Sequence, residues 1–308
     1  WKDFSMNFLT NKNRGEPRAA EQLSGSAFFK SNSLSVVAGD YVVESGMGAV
    51  LSKPMGSSAG NDPVSPVIRY SNSIRPYTGS YDLGFFRGIA AKGSVRLDAD
   101  VTFNLFGFAS TKDLPGMLDS LTGDVLSVYS AAYYRTASEI SKKRKFTERA
   151  AGAIAEIGYN NFVFSFHAVY LGYSCPIRSE SKSVFAGRSG LLKGISAYGT
   201  FAGNFAANAE AAFDAEGNTA YSGGFEHLAG NIKLGAAFRY FSNSFRSPYG
   251  YNFGSTETPA NESGIYAAAT WRPDSKNLLG LSVDIFRTPS VAKGNNFKSD
   301  GIATGVDY

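Results

Sequence analysis

Apolar and polar residues alternate with a period of two along much of this chain. From Val95 to Leu105, the positions Val95, Leu97, Ala99, Val101, Phe103 and Leu105 are apolar, and Arg96, Asp98, Asp100, Thr102 and Asn104 fill the places between them. Successive side chains of an extended strand point to opposite faces, so this spacing predicts one β-strand with an apolar and a polar face; a helix would scatter the charges round its circumference. The same alternation sets Ile232, Leu234, Ala236, Phe238 and Tyr240 against Lys233 and Arg239, and Leu281, Val283 and Ile285 against Ser282 and Asp284. Phe162, Phe164, Phe166, Ala168 and Tyr170 make a further apolar face. Opposite them stand Ser165 and His167 but also Val163, Val169 and Leu171, so that strand is apolar on both sides.

Turn residues separate these runs at close spacing: Asn160-Asn161, Ala215-Glu216-Gly217-Asn218, Ala229-Gly230-Asn231 and Pro273-Asp274-Ser275-Lys276-Asn277. Strands joined in succession by tight turns are antiparallel hairpins. Longer polar connections, Ser174–Ser189 and Ser242–Ser263, alternate with the tight ones. The expected fold is therefore all-β, an antiparallel up-and-down transmembrane β-barrel with short turns at one end and long loops at the other. Residues 1–308 form a single barrel region in this reading, an incomplete piece of a larger barrel. A soluble sheet protein also alternates, but a sandwich of this length would need Greek-key connections that the hairpin succession does not call for.

Two stretches do not fit a hairpin ladder. Gly46–Gly84 holds Pro54, Pro63, Pro66 and Pro76 among many Gly and Ser. It is too long for an idle connection and is either an outer loop or a plug folded into the lumen. Val50, Leu51, Val64, Val67, Ile68, Ile74 and Tyr77 give it apolar anchors, while Arg69, Arg75 and the nearby Arg87 are placed to pair with lumen carboxylates such as Asp98 and Asp100. Ser110–Val125 suggests a short helix around Leu114–Leu121.

Composition narrows the alternatives. No run of about 18 apolar residues exists, which excludes a spanning helix but not strands of about 9–11 residues with apolar side chains at alternate positions. The 17 Tyr and 24 Phe against 2 Trp suit a barrel with aromatic rims. Thirty basic residues against 26 acidic ones, spread along the chain, leave no nucleic-acid footprint. One cysteine, Cys175, makes neither an internal disulfide nor a metal site.

Several phrases resemble one family, large bacterial outer-membrane barrels whose full-length members often begin with a competence-type helix-hairpin-helix domain. They are Asn13-Arg14-Gly15-Glu16; Gly39-Asp40-Tyr41 followed by Ser45-Gly46-Met47-Gly48; and Ile74-Arg75-Pro76-Tyr77 followed by Phe85-Phe86-Arg87-Gly88. The most specific is Tyr134-Arg135-Thr136-Ala137-Ser138-Glu139-Ile140 with Lys142 and Lys143, and the last is Asn261-Glu262-Ser263-Gly264-Ile265-Tyr266 with Trp271-Arg272-Pro273 behind it. Met47 stands where that family usually has Gln. The resemblance implies a barrel in the bacterial outer membrane and confers no biochemical activity.

Candidate chemistry is sparse. His167 and His227 are the only histidines, and Ser165 shares a strand face with His167, but nothing orients the imidazole as a base and no glycine-flanked nucleophile turn accompanies the pair. Asp98 and Asp100 beside Arg96 read as a solvated wall rather than a calcium site. The run Lys142-Lys143-Arg144-Lys145 reads as a loop meeting lipid head groups or solvent. The chain is accordingly expected not to be an enzyme and to need no cofactor or metal. Its expected role is a porin-like channel, transporter or membrane scaffold in contact with outer-membrane lipid and small polar solutes, with Arg96, Asp98, Asp100, Lys233, Arg239 and Asp284 lining the lumen. The alternative is a component of nucleic-acid uptake at the cell envelope, although nucleic acid is not an expected partner of this piece alone.

Overall fold

The computed structural model describes residues 3–18, 21–53, 62–79, 83–129, 133–178, 186–254, 260–274, 276–289 and 298–307. Among them are seventeen β-strands and one four-residue helix. The strands make one antiparallel sheet, which is not closed among the described residues. The chain falls into two compact units: the first holds 1–44, 72–155 and 167–192, the second 45–71, 156–166 and 193–308.

In the first unit, β1 (Asp3–Asn11) pairs with β2 (Gln22–Lys30), β2 with β3 (Leu34–Glu44), β3 with β5 (Phe86–Arg96), and β5 with β6 (Val101–Leu114), all antiparallel. The pairing of β3 with β2 ends at Gly39 and that with β5 at Tyr41, while β4 (Ser73–Pro76) pairs with Tyr41–Glu44. Two of the phrases noted above meet at the crossover, where Gly39 pairs with Gly88, Asp40 with Arg87 and Tyr41 with Phe86. Gly39 holds φ +102° there, and a Cβ on it would lie 2.2 Å from the Gly25 carbonyl oxygen. Only glycine accepts both that backbone and that approach. The buried Asp40 carboxylate takes two hydrogen bonds from Arg87, at 2.6 and 2.8 Å, and Arg87 also donates to the Leu23 carbonyl at 3.0 Å. One ion pair thus ties β2, β3 and β5 together. Beneath it, the rings of Tyr41, Phe86 and Phe108 stack into the buried face, with Phe86 and Phe108 centred 4.9 Å apart.

Beyond β6, β7 (Gly116–Leu118) and β8 (Val125–Val128) make a small hairpin, followed by α1 (Ala137–Ile140). In the second unit the meander continues through the later residues of β11 (Gly187–Phe201), β12 (Phe205–Phe213), β13 (Thr219–Ala229), β14 (Ile232–Phe241), β15 (Glu262–Trp271), β16 (Leu279–Pro289) and β17 (Lys298–Asp307). The turns at 202–204 and 230–231 lie at one end of this meander, and the tight turn at 214–218 and the start of the longer connection after Phe241 lie at the other.

Two sequence expectations are corrected. Val95–Leu105 is not one strand. Arg96 ends β5, Leu97–Asp100 is a tight turn closed by the Leu97 N–H on the Val101 carbonyl at 2.9 Å, and Val101 opens β6. The alternation runs through the turn undisturbed because Val95 pairs with Phe103 and Gly93 with Leu105, so odd positions face odd positions across the hairpin. Around Leu114–Leu121 the chain forms β7 and a turn instead of a helix, since pairing with β8 outweighs a weak local preference.

The exposed face of the second unit is apolar. Ile232, Leu234, Phe238, Ile265, Leu281, Val283 and Ile285 all lie open on it. Near the turns at 202–204 and 230–231 it carries Phe201, Phe205, Phe225 and Trp271, the rings of Phe201 and Phe205 stacked at 5.4 Å. Towards the other end of the strands it carries Phe213, eight residues from Phe205, with Tyr221 and Tyr240, whose rings are centred 6.1 Å apart. Its charged side chains, Lys193 and Arg287, stand level with this second aromatic row, Lys193 opposite Phe213 and Arg287 next but one to Tyr240. In the first unit Phe4, Met6, Phe8, Ile89, Val95 and Leu105 are exposed in the same way.

The glycine crossover yields a first prediction. Gly39→Ala should cost about 1–3 kcal/mol through backbone strain and the clash with Gly25. Gly93→Ala, where a Cβ meets nothing within 4 Å, should stay within about 0.5 kcal/mol of the parent. Urea unfolding in detergent micelles measures both, and equal midpoints would contradict the assigned role of Gly39.

Candidate functional site

The face of β12–β15 opposite the apolar one is lined by Asn208, Glu210, Ser222, Arg239, Tyr266 and Thr270, all buried. What covers them is the segment 45–53 and 62–71 of the same unit. Its first part is held by a carboxylate: Glu210 accepts the backbone N–H of Met47 at 2.8 Å and of Ala49 at 3.2 Å. These donors converge because the chain turns sharply through Gly46 (φ +57°) and Gly48 (φ +99°). The Ser52 N–H then donates to the Tyr249 carbonyl at 2.8 Å, and Ser247 Oγ to the Val50 carbonyl at 3.0 Å.

The second part lies directly on the strands. Val64 and Val67, fully buried, pack with Tyr266 and Ala268, and with Ile68, Ala237 and Phe253 round them. Gly224 allows that approach, since a Cβ there would sit 2.1 Å from the Val67 carbonyl oxygen. Polar side chains of the strands reach the segment's backbone: Tyr266 Oη donates to Pro63 at 2.6 Å and Asn208 Nδ2 to Arg69 at 2.8 Å. Asp62 accepts from Thr270 Oγ1 at 2.8 Å. Arg69 donates to the Tyr251 carbonyl at 2.7 Å and to Ser52 Oγ.

Beside this segment lies a buried charge cluster. Arg239, on β14, pairs with Glu262 of β15 through Nε and makes two parallel 2.9 Å hydrogen bonds to Asp284 of β16. Gly264 leaves the space the guanidinium occupies, because a Cβ there would lie 2.8 Å from Arg239 Cζ. A planar fork is suited to two carboxylates in this way, and lysine would not be.

The residues expected to line a lumen divide accordingly. Arg239 and Asp284 come together on the covered face. Lys233, on the same face nearer the turn at 230–231, pairs with Glu226 at 2.9 Å. Arg96, Asp98 and Asp100 are exposed at the β5–β6 turn and line nothing, a correction that follows from the turn itself. The arginines therefore do not pair with Asp98 or Asp100. Arg75 pairs with Glu44, Arg87 with Asp40, and Arg69 holds a carbonyl and a hydroxyl. Sequence reading missed Glu210, Asn208 and Asp62. The signal for the first two was the run Ala207-Asn208-Ala209-Glu210-Ala211, polar at alternate positions with alanine between.

His167 and Ser165 fall in different units. His167 is buried, and Ser165 accepts from Tyr70 Oη at 3.1 Å and lies 2.7 Å from Ser196 Oγ. His227 stacks on the Phe205 ring, 4.2 Å between centroids. Of the basic run, Lys143 pairs with Glu21 at 2.5 Å and Lys142 lies 4.9 Å over the Tyr129 ring, so part of its charge is engaged within the protein. The Tyr134–Ile140 phrase builds a capping box, Thr136 Oγ1 accepting from the Glu139 N–H at 3.2 Å and Glu139 accepting from that of Thr136 at 3.0 Å. Glu16, from the Asn13–Glu16 phrase, accepts the Tyr134 N–H at 3.0 Å. No protein-family model matches the chain, and no characterised protein matches it either.

Arg239→Met should leave two buried carboxylates without their cation and cost about 3–5 kcal/mol. Arg239→Lys should fall between it and the parent, and an unchanged unfolding midpoint for Arg239→Met would remove the cluster's structural role. A second expectation concerns acid. Hydrogen bonds from the Arg135 side chain, and from the backbone of Arg135 and Thr136, hold the Glu139 carboxyl down at about 2 from its usual 4.5. A depressed carboxyl stabilises its loop above the usual value and loses that contribution as pH falls through the lower one. Carbon-detected NMR of the Glu139 carboxyl should therefore titrate near 2; a midpoint near 4.5 would show the box open.

Proposed function

We propose that this chain is the wall of a bacterial outer-membrane β-barrel, a porin-like or transporter-like conduit whose interior is occupied by residues 45–53 and 62–71. The observation that carries this reading is the arrangement of the two faces. A sheet in water buries its apolar side; here the apolar side is open and the polar side is covered. Phe205 and Phe213, one in each aromatic group, lie eight residues apart on β12, about 27 Å along the strand, or about 20 Å across a bilayer at the tilt usual in barrels. That is close to the height of the lipid-facing band between aromatic girdles. Lys193 and Arg287, at the level of one row, suit side chains that carry their charge to a membrane interface.

In this reading Arg239, Asp284 and Lys233 face the interior, and Glu210 and Arg69 latch the segment that fills it. The conduit is shut as it stands, and opening it requires that this segment leave its place. Outer-membrane lipid is the partner of the exposed face, and small polar solutes are the cargo. Catalysis has no part in the reading. Lys143 is paired with Glu21 and Lys142 lies over Tyr129, so part of the charge of the run Lys142–Lys145 is engaged within the protein and nothing favours the nucleic-acid alternative.

The test is conductance across a planar bilayer for the parent protein and for Glu210→Ala/Arg69→Ala. The parent should conduct little, and the double variant should show clear openings as the segment loosens. Silence from a folded, inserted double variant would remove the conduit and leave a membrane scaffold.

A further inference from the structure

The first unit contains a cavity of about 610 Å³, lined among others by Lys30, Ser35, Arg75 and Lys92. Its place in the sheet is defined by register. Lys30 of β2 pairs with Ser35 of β3, and Ser35 pairs with Lys92 of β5, so the three stand in one row across adjacent strands. Neighbouring strands lie about 4.8 Å apart, which puts the two lysine backbones about 10 Å apart with a hydroxyl between them. No Asp or Glu lines the cavity among the described residues. Arg75 is offset by Glu44, but neither lysine has an ion-pair partner among the described residues. Asp3, the acid opposite Lys30 in register, forms no ion pair with it. Lys92 is steadied by the face of Phe106, 4.7 Å from its Nζ, a contact that orients the ammonium without neutralising it. Asn7 and Ser73 on the same wall add groups that donate hydrogen bonds.

From this we propose that the cavity is a binding site for a small soluble anion carrying two or more charges, a diphosphate or a dicarboxylate, held between Lys30 and Lys92. Two ammonium groups without ion-pair partners among the described residues, Lys30 exposed and Lys92 half-buried, stand in one row and repel each other. A dianion between them removes that repulsion and supplies the acceptors they lack. The volume is that of an ordinary small-molecule site. The inference rests on the conduit reading in making this anion the cargo, but the binding itself does not depend on the membrane.

The experiment is titration calorimetry of the full chain in detergent micelles with pyrophosphate, for the parent, Lys30→Gln/Lys92→Gln and Lys233→Gln. The parent should bind, the double variant should bind at least ten-fold more weakly, and Lys233→Gln should match the parent. Binding by the parent should weaken as salt is raised. Heat-modifiable gel migration of every variant shows whether the fold is kept. Absence of binding by the parent, or equal binding by a folded double variant, would overturn the site. If the parent shows no heat-modifiable migration yet the lysine-dependent binding remains, the barrel reading fails and the site stands.

Discussion

A sheet that turns its apolar side outward must satisfy its polar side from within. That requirement organises the second unit. Glu210, Asn208, Tyr266, Thr270 and Arg239 are buried on β12–β15, where bulk water does not pair them, and an unpaired buried polar group costs about 1–3 kcal/mol. Their partners come from residues 45–53 and 62–71 and from charges on neighbouring strands. Glu210 binds two backbone N–H groups, Tyr266 and Asn208 bind two carbonyls, and Arg239 binds two carboxylates. The segment is therefore part of the sheet's own hydrogen bonding. Displacing the segment would have to replace those bonds with water.

The phrases that carry the family resemblance turn out to be joints. Gly39-Asp40-Tyr41 lies in register against Phe86-Arg87-Gly88, where β3 leaves β2 and takes up β4. Asn13–Glu16 reaches Tyr134 through a carboxylate, and Thr136–Glu139 closes its own capping box. Glu262 and Gly264 supply the charge and the space that Arg239 needs. Each is a place where the chain does something a plain hairpin cannot. These residues serve geometry.

Much of the fold was legible in the alternation, and the reason is parity. Ile232–Tyr240 and Leu281–Ile285 present their odd or even sets to the open face as the period of two requires. The same parity hid the turn at Leu97–Asp100, where no Gly or Pro interrupts the pattern and the odd positions continue outward on both sides. Arg96, Asp98 and Asp100 were misplaced for that reason. The docking of the segment against a polar face was legible in its prolines, valines and Arg69, but its partners were not. Glu210 and Asp62 are distant in sequence from what they bind, and no local pattern encodes a contact between residues 47 and 210.

The central claim is that the open face meets lipid. Nitroxide labels placed one at a time from 232 to 240 in vesicle-reconstituted protein, each measured for collision with oxygen and with a water-soluble nickel chelate, test it most directly. The account predicts a period of two: high oxygen and low nickel accessibility at 232, 234, 236, 238 and 240, with oxygen highest near 236, and neither reagent reaching 235, 237 and 239 well. Equal nickel accessibility at 234, 236 and 238 would mean that water covers this face, and would contradict the account.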